Sequence, residues 1–307
     1  MCIKFSILFI AISFFAVQTK AQDDGGFMTG RYLNTALREV SGMAASRVHP
    51  NTFYVHNDSG DTSRFFAVNE KGELKGIYYF KGDEVSFSGV NDCEDITIGS
   101  GPDAGKEYIY LADIGDNAAR RLDVRIFRIE EPGADSGVVK TVGSQMFTLT
   151  YPNGAQDAET IMIDPTERLL YIVSKRQDSV IVYTAPLDLN DKKTYMLREV
   201  CKLYFDGKKK EKWIVSGSIS RDGKQVMLKS MKKVYYWQRQ GNESIYKTMQ
   251  RTPLELSYTQ HGQEEAICFS PDGKSYFITG EGEHAGIYHY DISTQELARR
   301  IALLQRK

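Results

Sequence analysis

Apolar and polar positions alternate along the chain in a pattern that repeats. Short runs of β-branched and aromatic residues, separated by turn residues, come in groups of two or three, which is typical of antiparallel strands. The pairs Asp222-Gly223 and Asp272-Gly273 each join two such runs, and Asp-Gly is a strong hairpin signal. Five groups align, with equivalent apolar positions separated by roughly 50 to 65 residues. These positions are Met43, Ile96, Ile161, Ile219 and Ile267.

Repeated meanders of this size predict an all-β fold, a closed β-propeller of five blades. Six blades are the alternative, because the long connections after Ile129 and after Leu187 leave room for further strands. Phe27 to Leu33 can add a strand to the last blade, and Glu296 to Leu304 is expected to form an outer strand or a short helix. Either end of the chain can therefore close the ring and remove its exposed edges.

Residues 1–21 have the features of a secretory signal peptide. Lys4 precedes an apolar stretch from Phe5 to Val17, which is too short to span a membrane, and Ala21 ends a segment suited to cleavage. No other segment resembles a membrane span. We therefore expect residues 22–307 to form a single β-propeller domain that is monomeric and either secreted or periplasmic.

Composition and charge restrict the class of protein further. The chain is 41% hydrophobic and 26% charged, as in ordinary soluble globular proteins. Loss of Lys4 and Lys20 with the signal changes the formal net charge from −1 to −3 (37 basic against 40 acidic residues), so no nucleic-acid partner is expected. The remaining cysteines, Cys93, Cys201 and Cys268, are odd in number and predict buried thiols rather than a disulfide framework.

A carboxylate or hydroxyl stands at the head of the first strand in each group. A charged side chain at the head of a buried strand is costly unless it is paired or metal-bound, so the repeat predicts a ring of oxygen ligands. The predicted ligands are Ser41, Glu94, Glu159, Ser216 and Glu265. The fourth segment is one residue short relative to the others, so Ser218 or a backbone carbonyl can replace Ser216 there.

The loops that follow the second strands are expected on the same face as this ring, because neighbouring strands run antiparallel. Acidic loops come from the first, second and fifth groups and include Asp58 and Asp116, while the third and fourth groups supply Lys175, Arg176 and Lys229. Each loop alone is typical of a solvated turn. Their convergence favours a face that holds a cation on one side and an anion on the other.

The order Ser, Glu, Glu, Ser, Glu at the strand heads resembles that of the calcium-activated apyrases. These are secreted five-bladed propellers that hydrolyse nucleoside di- and triphosphates around a calcium ion in the central tunnel. The resemblance implies that Ser41, Glu94, Glu159, Ser216 and Glu265 surround Ca²⁺. The chain also resembles exported bacterial propellers without assigned chemistry, through Ser-Gly-Met-Ala, His-Asn-Asp-Ser-Gly, Ala-Asp-Ile-Gly-Asp-Asn and Glu-Glu-Ala-Ile. Such likeness implies fold and metal more strongly than activity.

Calcium suits this ring because it accepts six to eight oxygens in flexible geometry. Two classes of function remain open. In the first, the protein is a calcium-dependent hydrolase of phosphate anhydrides or esters, in which Asp58 or Asp116 positions water and Lys175, Arg176 and Lys229 bind an anionic small-molecule substrate. In the second, it is a non-catalytic, calcium-stabilised propeller that binds a glycan, peptide or protein.

Overall fold

Twenty-two β-strands and one short helix make up the described part of the chain. We describe a computed structural model, which covers residues 26–133 and 138–292. The elements, in chain order, are β1 (Gly26–Arg31), β2 (Val40–Ala45), β3 (Phe53–Asn57), β4 (Arg64–Val68), β5 (Leu74–Phe80), β6 (Cys93–Ser100), β7 (Glu107–Asp113), β8 (Val124–Glu130), β9 (Val138–Val142), β10 (Gln145–Thr150), β11 (Ala158–Asp164), β12 (Leu169–Ser174), β13 (Ser179–Pro186), β14 (Thr194–Met196), β15 (Arg198–Tyr204), β16 (Ile214–Ile219), β17 (Gln225–Ser230), β18 (Val234–Gln238), α1 (Ile245–Met249), β19 (Leu254–Leu256), β20 (Gln263–Phe269), β21 (Ser275–Glu281) and β22 (Gly286–Asp291).

The strands form five sheets, and each sheet is one blade of a β-propeller. From the centre outwards, the blades are β2-β3-β4-β5-β9, β6-β7-β8-β10-β14, β11-β12-β13-β15, β16-β17-β18-β19 and β20-β21-β22-β1. The innermost strands β2, β6, β11, β16 and β20 contact one another in a closed ring around the tunnel. The all-β fold and the five blades predicted from the sequence are therefore confirmed.

Six blades were the alternative because of the long connections after Ile129 and after Leu187. In the structure these connections add outer strands to the five blades. The connection after β8 supplies β9, which pairs in parallel with β5 of the first blade, and β10, which extends the second blade. The connection after β13 supplies β14, which pairs in parallel with β10, and β15, which completes the third blade. These crossing strands tie neighbouring blades together.

The N-terminal strand closes the ring. Strand β1 pairs antiparallel with β22, from Gly26 opposite Tyr290 to Arg31 opposite Gly286. Among the described residues, the last blade is therefore completed by a strand from the N-terminal side of the chain. The predicted signal at 1–21 and the segment Glu296 to Leu304 lie outside the described residues.

The core lies between the blades. Five clusters of buried apolar side chains each join two neighbouring sheets, so every blade packs on both faces. Large aromatic residues such as Tyr54, Tyr110 and Tyr183 fill these spaces. Cys93, Cys201 and Cys268 are buried free thiols. Within the described part of the chain, no helix is both long and apolar enough to cross a membrane.

Candidate metal centre

Each innermost strand begins with a β-bulge at one face of the propeller. In the second blade Cys93 lies opposite Asp113 and Asp95 opposite Ala112, which leaves Glu94 as the extra residue. A bulge redirects the side chain of its extra residue and bends the strand, so these residues turn towards the mouth of the tunnel. The equivalent extra residues of the other blades are Ser41, Glu159, Val215 and Glu265.

The fourth blade departs from the sequence alignment. Ile214 lies opposite Ser230 and Ser216 opposite Lys229, so the extra residue is Val215 rather than Ser216. By the same register Gly217, and not Ile219, is equivalent to Ile161. Ser218 lies further along the strand, where its hydroxyl accepts a hydrogen bond from the Phe269 amide at 3.4 Å. Neither serine is therefore in the layer of Glu94 and Glu159, and the fourth blade presents an apolar side chain there.

A second set of equivalent positions lies just after the second strand of four blades, one residue beyond it in three blades and two residues beyond it in the second. In each, the backbone N–H donates to the carbonyl of the residue two positions before the bulge. The pairs are Asp58 to Glu39 at 2.7 Å, Gly115 to Asp92 at 3.0 Å, Lys175 to Asp157 at 2.9 Å and Met231 to Trp213 at 3.1 Å. The same backbone position therefore carries an Asp in the first blade, a Gly in the second, a Lys in the third and a Met in the fourth.

Three carboxylates converge beside the first and second blades. Oxygens of Asp58, Asp92 and Glu94 all lie within 4.8 Å of one another. Gly115 provides the space: a Cβ atom on this residue would lie 2.5 Å from Asp92 Oδ2 and closer still to Glu94 Oε1. The cluster joins a predicted metal ligand, Glu94, to a predicted catalytic residue, Asp58. It also includes Asp92, which was not among the predicted ligands.

The pKa values of these carboxyl groups are all raised. Burial, followed by repulsion from Asp58, raises the pKa of Asp92 to about 6. Burial also raises the pKa of Asp58, and burial with the charge of Glu159 raises the pKa of Glu94 well above its ordinary value. The three groups therefore have too little positive charge around them to favour their ionised forms.

Asp92 is held in place by a buried carboxylate behind it. Asp113 accepts hydrogen bonds from the Asn91 and Asp92 amides at 3.0 and 2.9 Å, and the Arg121 guanidinium pairs with Asp113 at 2.8 Å. Arg121 also donates to the Gly115 carbonyl at 2.9 Å. These contacts fix the loops on either side of the cluster.

Glu159 lies next to the cluster and pairs with Lys175. The Lys175 ammonium contacts Glu159 Oε1, while Glu159 Oε2 is buried with no hydrogen-bond partner among the described residues. Burial acts to lower the pKa of Lys175, but attraction to Glu159, Glu265 and Glu94 outweighs it and the pKa is raised. Lys175, predicted as an anion-binding residue, is therefore the internal counter-charge of the predicted ligand ring.

Glu265 and Glu281 extend the acidic region into the fifth blade. Burial raises the pKa of Glu265, against the attraction of Lys175. Burial, with repulsion from Glu265 and Asp58, raises the pKa of Glu281 to about 7. Gln263 donates to Glu265 Oε1 at 3.2 Å. The negative charge on this face thus spans the first, second, third and fifth blades.

The other predicted site residues serve the loops and the tunnel wall. Asp116 accepts from the Arg121 amide at 2.6 Å, and its own amide donates to Asp157 Oδ1 at 2.9 Å. Ser41 donates to the Glu94 carbonyl at 2.7 Å and so links the first two blades. Asp116 is therefore outside the carboxylate cluster, and Ser41 borders it.

The predicted basic residues are engaged within the protein. Arg176 pairs with Asp157 and donates to Asn117, and its guanidinium lies 4.5 Å from the centre of the Trp213 ring. Lys229 is completely buried: it donates to the Ser230 carbonyl at 3.0 Å, and burial lowers its pKa to about 7. Neither presents a charge to an anion on the open face in this arrangement.

Below the centre, Asp95 crosses the tunnel. Its Oδ2 accepts from the Ile161 amide at 3.0 Å, and its Oδ1 accepts from Ile96 at 2.9 Å and from the Ser216 hydroxyl at 3.3 Å. Burial raises the pKa of Asp95 well above its ordinary value. Ser216, predicted as a metal ligand, thus belongs to this deeper layer. In the sequence, Asp95 is recognisable as a charged residue inside the apolar run that follows Glu94.

The chain matches none of the protein-family models with which we compared it, and a comparison with curated proteins found no match either. The comparisons therefore add no support to the resemblance to the apyrases or to the exported propellers. The assignment of the site rests on its geometry.

Proposed function

We propose that the chain is an exported calcium-binding β-propeller whose ion is held at the tunnel mouth by Asp58, Asp92 and Glu94. The observation that supports this most is the convergence of their oxygens within 4.8 Å around the space left by Gly115. Two oxygens bound to one calcium ion at about 2.3–2.6 Å are at most about 5 Å apart. All three carboxylates meet this limit.

Electrostatics also supports a divalent cation. The carboxyl groups have raised pKa values because they are partly buried and repel one another, and a cation among them would reverse this. The unpartnered Oε2 of Glu159 is a further oxygen beside the cluster. Calcium tolerates an irregular set of carboxylates and waters, whereas magnesium requires a tight octahedron.

In this proposal the ion stabilises the mouth of a binding propeller outside the cytoplasm. Calcium-dependent hydrolysis of phosphate anhydrides or esters is less well supported, because Lys175 and Arg176 are paired with Glu159 and Asp157 instead of facing a substrate. A phosphate-release screen over nucleotides, pyrophosphate and sugar phosphates, with calcium and with chelator, separates the two. Calcium-dependent release of phosphate would support the hydrolase, and no release of phosphate with bound calcium would support the binding function.

Calorimetric titration of the chain from Gln22 with calcium tests the metal site directly. Asp92→Asn and Glu94→Gln should each weaken binding, while Asp191→Asn, an exposed acid on the opposite face, should leave it unchanged. At a calcium concentration 100 times Kd, binding should add about 2.7 kcal/mol to the free energy of unfolding. Equal melting temperatures in chelator and in millimolar calcium, with no heat of binding, would refute the proposal.

A further inference from the structure

A lysine-rich loop lies on the same face as the candidate metal centre. It connects β15 to β16 and reads Asp-Gly-Lys-Lys-Lys-Glu-Lys at 206–212. Strand β16 begins at the mouth of the tunnel, so the loop borders that mouth on the side of the third and fourth blades. The loop carries a formal charge of +2, from four lysines against Asp206 and Glu211, although the chain as a whole has a charge of −1.

The base of the loop is fixed, and three of its four lysines face solvent. The Lys212 amide donates to the Lys208 carbonyl at 3.2 Å, and the Trp213 amide donates to the Lys210 carbonyl at 3.4 Å. The Lys212 ammonium donates to the Asp178 carbonyl at 3.3 Å. Lys208, Lys209 and Lys210 are exposed, and none of them forms an ion pair with the described residues. Three charges are therefore presented together, none of them in an ion pair among the described residues.

Cations contact the two aromatic rings beside the loop, although Tyr204 is still 66% exposed. Arg176 and Lys210 lie 4.5 and 5.9 Å from the centre of the Trp213 ring, and the Lys212 ammonium lies 5.0 Å from that of Tyr204. Surfaces that bind single-stranded nucleic acids stack bases on open aromatic faces. Here two cations contact the Trp213 ring, and Tyr204 alone is not a row of stacking platforms, so the surface favours a flexible polyanion without flat bases.

We propose that Lys208, Lys209 and Lys210 form a binding surface for an acidic polysaccharide. Lysine presents a compact, hydrated charge and lacks the planar fork with which arginine recognises one carboxylate or phosphate. A row of exposed lysines therefore suits a chain that bears many anionic groups. The surface lies beside the metal centre but does not require the metal.

Heparin, which carries sulfate and carboxylate groups, is the probe. Binding is measured by calorimetry at about 0.1 M NaCl in chelator, where screening is moderate. Replacing Lys208, Lys209 and Lys210 together by Gln should weaken binding at least about tenfold and reduce its salt dependence. The matched control, Lys71, Lys192 and Lys193 to Gln, removes the same charge from exposed positions on the opposite face and should change affinity less than about twofold.

Three results would overturn the proposal. The first is absence of heparin binding by the unmodified chain, and the second is an equal loss in both triple variants, which would show only a general charge effect. The third is tighter binding to a single-stranded oligonucleotide or to anionic vesicles than to heparin, which would assign the loop to another class of partner. Because the titration is run in chelator, its outcome is independent of whether the metal site exists.

Discussion

Gly115→Ala is the sharpest test of the metal centre because it adds one methyl group where the ligands converge. The backbone of Gly115 does not have a positive φ, so alanine is compatible with its conformation. The new Cβ would lie 2.5 Å from Asp92 Oδ2 and nearer to Glu94 Oε1, whereas real Cβ contacts almost never fall below 3.0 Å. Asp92 must therefore move by about 0.5 Å and Glu94 by more.

The expected effect on calcium follows from the narrow range of its bond lengths. Calcium–oxygen distances span only about 0.3 Å, so a displacement of this size removes an oxygen from the coordination sphere. We expect Gly115→Ala to weaken calcium binding about 100-fold, or about 2.7 kcal/mol. The metal-free protein should lose less than about 1 kcal/mol, because the atoms that must move are the ends of flexible side chains that repel one another.

Calorimetric titration with calcium and melting curves in chelator together give both quantities. Gly143→Ala is the matched control, since a Cβ atom at Gly143 would meet nothing within 4 Å. Unchanged calcium affinity in Gly115→Ala, while the unmodified chain binds calcium, would show that the ion is bound elsewhere. A large loss of stability in chelator would show instead that the fold itself requires this glycine.

Three further predictions concern the charges around the tunnel. Lys175→Met should lower the melting temperature in chelator and increase the rise in melting temperature that calcium causes. The reason is that Glu159 loses its counter-charge and becomes available to the ion. An unchanged rise in melting temperature would contradict this competition between Lys175 and calcium. In chelator, the free energy of unfolding should fall by about 1 to 2 kcal/mol between pH 4 and pH 7 from Asp92 alone, after allowance for solvent screening. The sign follows because the folded-state pKa of Asp92, about 6, lies above the unfolded value of 3.8, so the folded state holds the proton more tightly. Calcium should oppose this fall, and melting curves across the pH range with and without calcium test both statements. Asp95→Asn should destabilise the protein by about 1 to 3 kcal/mol, because both oxygens of Asp95 accept buried amide hydrogens and an NH₂ group cannot; chemical denaturation with no change in midpoint would refute this.

The fold could be predicted from the sequence because strand patterns and turns are local signals. The first, second and third strands of each blade were recognisable as short apolar runs, and antiparallel pairing placed their loops on one face. Closure by β1 could not be predicted, since both ends of the chain contain apolar segments able to pair with β22. The parallel strands β9 and β14 were hidden in long connections because their partners are distant in sequence.

The carboxylate cluster overlaps the predicted site in part, and the reasons for the differences are geometric. The position of a bulge depends on the register with the neighbouring strand, and Val215 and Ser216 both fit a buried strand head. Asp92 was overlooked as a ligand because it precedes the strand, although it repeats the position of Asp157 two residues before Glu159. The direction of Lys175 could not be predicted, because a loop lysine is equally suited to a solvated and to a paired position.

The divergence of the equivalent positions after the second strands explains why the proposed centre lies away from the fivefold axis. In the first blade Asp58 supplies a carboxylate, and in the second blade Gly115 leaves space for the carboxylates of Asp92 and Glu94. On the other side, Lys175 supplies a covalently attached positive charge, and Trp213 occupies the position that Asp92 has in the second blade. If the proposed ion binds, the face neutralises its glutamates in two ways, by the fixed Lys175 ammonium at the third blade and by an exchangeable cation at the first two. Only the second can respond to the concentration of an ion, so any regulation by calcium must act through the loops that carry Asp58 and Asp92.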